Sequence, residues 1–238
     1  MRLLFLLFFI FSLTSCSAVV RSPVPITDET TVGIISFVGA TAKNRTWGIS
    51  VLGNSDLSKP VDWDINRYLT SGIRGKVESL GMNAIEITDP NDIQALEGAT
   101  LDGFSRLRPE VISAMDLLEE KYDVDIIILA KEYNRSEPTS ALFTEGYGIT
   151  KYPNETFIHT NITLYSIEIA YRNMFLPASL DGYAFQPFAR RINDSRANLI
   201  DKDSETVMLD SETKGKVEQN IDELIDWYFR DYPVMRIN

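Results

Sequence analysis

One cysteine and one histidine stand in 238 residues, and each scarcity removes a class of function. A single cysteine leaves no internal disulfide, so the fold must rest on its core alone. A lone histidine, His159, cannot build a metal site that needs several nitrogen or sulfur ligands. Basic residues are also short: 23 Lys and Arg stand against 34 Asp and Glu, for a net charge of −11. Such a chain is repelled by nucleic acid and by anionic head groups, so no nucleic-acid partner is expected. The adjacent basic pair Arg190 and Arg191 is read as solvated surface. Long apolar runs are confined to residues 3–13, broken only by Ser12. That length of helix reaches about 16 Å, half the hydrocarbon core of a bilayer. Following Met1 and Arg2, it has the shape of a secretory signal.

Leu13, Thr14, Ser15 and Cys16 close that run. They resemble the lipobox of bacterial lipoproteins: an aliphatic residue, two small ones, and a cysteine that becomes the new N-terminus. The resemblance implies removal of residues 1–15 as a signal peptide and lipid attachment at Cys16. Acyl chains bury about 0.8 kcal/mol per methylene, so several of them anchor a protein durably. Ser17 follows in place of aspartate, which by resemblance to enterobacterial sorting implies the outer membrane, facing the periplasm. Residues 16–29 carry Pro23 and Pro25 without apolar periodicity and read as the lipidated cysteine and a flexible tether.

Residues 30–238 read as a single globular domain. Val32, Ile34, Ile35, Phe37 and Val38 predict a buried strand over 31–38. A short strand is possible over 47–52, inside an otherwise mixed stretch from 39 to 61. Ile65, Leu69, Ile73, Val77 and Leu80 recur at helical spacing, predicting a helix capped by Asp62 and ended by Gly81. Gly72 and Gly75 weaken that helix, which close packing on a sheet would explain. Residues 83–88 predict a strand, and Asp89 and Pro90 a turn into a poorly patterned stretch. Pro109 opens a helix through Tyr122, with Val111, Ile112, Met115 and Leu118 inward. Residues 124–130, Val-Asp-Ile-Ile-Ile-Leu-Ala, carry a near-continuous β-branched run, the mark of a strand covered on both faces. Two longer strands, 141–149 and 157–171, predict an antiparallel hairpin through Pro153 and Asn154. Residues 176–212 read as irregular, and 216–230 as a last helix. The expected fold class is α/β, with α+β as the alternative. It is a mixed sheet of about five or six strands flanked by about three main helices.

This layout resembles a group of exported α/β domains: the amino-terminal domain of TolB, lipoproteins that activate penicillin-binding proteins, and the curli-secretion lipoprotein family. In that group a strand like 32–37 is followed by two helix–strand units, closing on one like 124–130, and a hairpin completes the sheet. The segment Glu145-Gly146-Tyr147-Gly148-Ile149 resembles many proteobacterial lipoproteins of unknown role. No functional residue is carried over. The resemblance implies protein–protein work in the envelope without catalysis.

The motifs with chemical promise fall short. Gly53-Asn54-Ser55-Asp56-Leu57-Ser58 resembles the nucleophile block of Gly-Asp-Ser-Leu hydrolases, with Asn in place of Asp and Asp56 inserted. A serine needs a base, and no aspartate stands three residues before His159. The segment therefore reads as a Gly/Asn/Ser turn. His159 alternates with Ile158 and Thr160 and is expected to face solvent. Ser71 to Val77 echoes a phosphate loop, but Thr70 stands where a glycine is required and the stretch is helical. Asp201, Asp203, Glu205 and Glu212 match calcium-loop positions, with Thr206 in place of the turn glycine. Asp62 with Asp64, and Asp123 with Asp125, offer carboxylate pairs near strand ends. No cofactor is expected. The expected function is a membrane-anchored, non-catalytic interaction or envelope-assembly module with an envelope protein as partner. The alternatives are an envelope hydrolase using carboxylates and an oligomeric secretion-channel component.

Overall fold

A computed structural model describes residues 27–46, 55–97, 109–132, 146–151, 156–169, 188–192 and 211–231. Among them lie eight strands: β1 (Thr31–Ser36), β2 (Thr41–Thr46), β3 (Ser55–Pro60), β4 (Asn83–Glu86), β5 (Ile126–Glu132), β6 (Gly146–Lys151), β7 (Thr156–Glu168) and β8 (Phe188–Ile192). Four helices accompany them: α1 (Ile65–Ser79), α2 (Pro90–Glu97), α3 (Pro109–Tyr122) and α4 (Ser211–Asp231). The architecture is α/β, a single mixed sheet, larger than the five or six strands the sequence predicts. Pairing runs β3-β2-β6-β7-β5-β1-β4, with β8 also on β7.

β1, β4 and β5 form one parallel part, with β1 between the other two. The β-branched runs put Val32 and Ile34 on one face and Ile35 on the other, and likewise Ile126 and Ile128 against Ile127. One core joins the first face to α1 and α4 through Leu69, Ile73, Ile221 and Leu224. The second joins the other face to α2 and α3 through Leu96, Val111, Met115 and Leu118. Ile112 is only half-buried, and Ala114 takes the place assigned to it. β6 and β7 are the antiparallel hairpin the sequence predicts.

β5 pairs with residues 162–168 of β7 and β6 with residues 156–161. β1 lies parallel to β5, and β2 lies parallel to β6. The sheet is thus two half-sheets in succession along β7, meeting where Glu132 ends β5 and Gly146 begins β6.

Several expectations shift. Asp64, not Asp62, caps α1, its carboxylate accepting from the Arg67 amide at 3.0 Å. Gly81, at φ +84°, follows the C-cap Leu80 as expected. Gly72 faces a helix rather than the sheet: a Cβ there would meet Ile225 Cδ1 of α4 at 2.9 Å. α2 occupies the stretch read as poorly patterned, and β8 lies in the stretch read as irregular. Ser55 to Ser58 belong to β3, not to a turn, whereas the possible strand at 47–52 lies outside the described residues.

Candidate functional site

In open α/β sheets, ligands collect at the carboxyl ends of parallel strands, where successive connections diverge to either side. β1 is that point here, and Ser36, Glu86 and Glu132 stand at the ends of β1, β4 and β5. Each is tied into the fold. Ser36 donates its hydroxyl to Asn66 Oδ1 at 2.5 Å. The same oxygen accepts from the Val38 amide at 3.1 Å, and Asn66 Nδ2 donates to the Val38 carbonyl at 2.9 Å. The first turn of α1 thereby fixes the exit of β1. Glu86 accepts from the Thr70 hydroxyl at 2.9 Å and pairs with Arg74 Nη1 at 2.7 Å. Glu132 accepts from the Gly39 amide at 2.9 Å and lies 3.5 Å from Lys43 Nζ. Next along this edge, Asp89 accepts from the Asn91 amide and pairs with Lys121, which holds its carboxyl below the usual range.

Beside this edge stands an aromatic group. Trp63 meets Tyr147 edge-on at 6.0 Å and Tyr68 at 5.9 Å, and Lys214 lies 5.7 Å from the Trp63 centroid. The Tyr68 hydroxyl donates to Asp222. Burial, reinforced by the Asp222 carboxylate, pushes the Tyr68 phenol up to about 12. Burial likewise raises Tyr147, with Glu132 adding to the effect. The cluster joins the starts of α1 and α4 to β6, which gives it a packing role.

His159 overturns its expectation. It is 1% exposed rather than solvent-facing. β7 is an interior strand, flanked by β6 and β8 at this level, and both of its faces are covered. Ile158, Thr160, Ile162 and Leu164 are buried on one side, and His159, Asn161 and Thr163 on the other. That double burial removes β7 as a lipid-facing strand. Thr150 Oγ1 lies 3.2 Å from His159 Nδ1, and Nε2 has no partner among the described residues. Burial, followed by the charges of Arg45 and Lys43, pushes the imidazole down to about 3. A neutral ring at all physiological pH values is the result. Among the described contacts the ring's partner is the Thr150 hydroxyl rather than a carboxylate.

The remaining carboxylate pairs separate into structural tasks. Asp64 caps α1 while Asp62 is exposed. Asp125 accepts from the Thr31 amide at 2.8 Å, at the amino end of β1. Asp123 turns the chain out of α3 at φ 53°, its amide donating to the Glu119 carbonyl. The phosphate-loop echo lies inside α1, as expected. Glu212 sits in the first turn of α4 and pairs with Lys216. Asp201, Asp203, Glu205 and Thr206 lie outside the described residues, as do Cys16, Gly53 and Asn54. Arg190 and Arg191 stand on β8 opposite Ile158 and Phe157 of β7. Among the described residues, no three His, Asp or Glu side chains converge on one point, and no helix is long and apolar enough to cross a membrane.

The tie that sequence reasoning missed is Glu132. Its signal is a carboxylate two residues after the run 124–130, at the carboxyl end of a parallel strand, where the rule for open sheets directs attention.

No family model matches the chain, and no curated protein matches it. Among solved structures, it is similar to a PelC dodecamer from Paraburkholderia phytofirmans at 8% identity, with TM-score 0.36, covering 89% of this chain and 93% of that one. It is also similar to the hypothetical protein CT253 from Chlamydia trachomatis at 9% identity, with TM-score 0.34, covering 68% and 72%. At this distance the likenesses carry no statement about activity or assembly.

Proposed function

We propose that the chain is a membrane-anchored periplasmic lipoprotein acting as a non-catalytic interaction or envelope-assembly module. In this reading Cys16 carries the lipid, residues 16–29 are the tether, and the α/β domain meets an envelope protein. The observation that carries the proposal is Leu13-Thr14-Ser15-Cys16 directly after the apolar leader, with Cys16 the only cysteine in the chain. A durable anchor followed by an extended tether serves to present a domain at a surface. The start of the domain is firmly held, as a presented module requires. The Thr30 amide donates to the Thr27 carbonyl, the Asn83 amide to the Thr30 carbonyl, and the Thr31 amide to Asp125. The engagement of Glu86, Asp89 and Glu132 in structural contacts weighs against the carboxylate-hydrolase alternative.

Cell fractionation tests the anchor. The native protein should sediment with outer membranes, and Cys16→Ala should shift most of it to the soluble periplasmic fraction. Equal distribution of the two proteins would remove the proposal's foundation.

A further inference from the structure

The two half-sheets differ in what they bury. In the first, β1 and β5 are apolar on both faces, with Val32, Ile34, Ile126 and Ile128 against Ile35, Ile127 and Leu129. In the second, Ala42, Tyr147, Ile149 and Ile158 face the core. Lys43, Arg45, Thr150 and His159 alternate with them on the opposite face. Among the described residues, the strands of the second half are thus apolar on one face only, and β3, at the end of the pairing order, is largely exposed. Opening free energy follows the apolar area that opening exposes.

Glu132 belongs to the first half and reaches the second at three points. Its Oε1 accepts from the Gly39 amide at 2.9 Å, in the link between β1 and β2. Its other oxygen faces Lys43 Nζ of β2 at 3.5 Å, with the two side chains 17% and 16% exposed. Its carboxyl group also packs on Gly146, at the start of β6, so closely that a Cβ there would lie 3.0 Å away. A Cβ on Gly39 would come within 2.8 Å of Oε1. Two positions without side chains thus make room for one carboxylate at the joint.

We propose that Glu132 is a latch coupling two separately opening halves of the sheet, and that the second half (β2, β3 and β6) opens as a unit when the latch is lost. Loss of the charge removes the Lys43 pairing while leaving β1, β4 and β5 enclosed by their two cores.

Hydrogen exchange followed by mass spectrometry on the full chain tests this. In the native protein, amides of β2, β3 and β6 should exchange faster than those of β1 and β5. Glu132→Gln should accelerate the second-half amides about tenfold, the scale of one charge-assisted hydrogen bond, and leave β1 and β5 unchanged. Glu132→Ala, which also loses the Gly39 acceptor, should accelerate them further. Equal acceleration in both halves, or none in the second, would overturn the proposal. If the alanine variant does not fold, equal protection of the two halves in the native protein would do the same.

Discussion

His159 shows how a single side chain records its surroundings. Alternation along β7 reads as one wet face and one dry face, and only the tertiary neighbours reveal that both are dry. The buried imidazole has its folded pKa pushed down to about 3 from 6.5. Below pH 6.5 the unfolded chain therefore binds a proton that the folded chain refuses. Stability is full above that value and falls as the pH drops toward the folded pKa. From pH 6.5 to pH 5 this one group should cost up to about 2 kcal/mol, since a full proton is worth about 1.4 kcal/mol per pH unit. Urea unfolding of the native protein and of His159→Gln over that range checks the prediction. The variant's stability should fall less steeply with acid. Parallel slopes would mean the ring is not held neutral.

At the scale of elements, α1 offers two glycines that look alike in sequence and differ in space. Gly75 is exposed with nothing within 4 Å of its missing Cβ, whereas Gly72 faces Ile225. Thermal or chemical unfolding should find Gly75→Ala more stable by up to about 1 kcal/mol. Gly72→Leu should be less stable by about 1–3 kcal/mol, because the added branches displace α4. The elements legible in sequence are those with an apolar pattern: β1, α1, β4, α3, β5, the hairpin and α4. The helix predicted over 109–122 matches α3, because Pro109 marks a first helical position and the stripe runs through Leu118. The same rule applied to Pro90, preceded by Asp89 whose carboxylate accepts from the Asn91 amide, identifies α2. β2 and β3 stayed hidden because Thr-Ala-Lys-Asn-Arg-Thr and Ser-Asp-Leu-Ser-Lys-Pro carry no apolar run. Their pairing is set by partners instead. Gly148 lets the β6 backbone approach Lys43 so closely that a Cβ would overlap the Lys43 carbonyl. Lys59 and Pro60 suit β3 to the end of the pairing order, where charge and a missing donor discourage further pairing.

For the whole molecule, the sheet class follows from the order of apolar segments, but its division at Glu132 does not. That division depends on one carboxylate meeting an amide of the β1–β2 link, a lysine of β2 and the first residue of β6. These contacts span long sequence separations, and no local pattern encodes them. The anchor is the opposite case. As proposed, it rests wholly on residues 13–16, and the folded domain contributes only the firmly held start of β1. Mass spectrometry of the amino-terminal peptide from the native protein tests the central claim most directly. A peptide beginning at Cys16, heavier by the mass of its acyl chains, is the predicted result. A free thiol at Cys16, or residues 1–15 still attached, would contradict it.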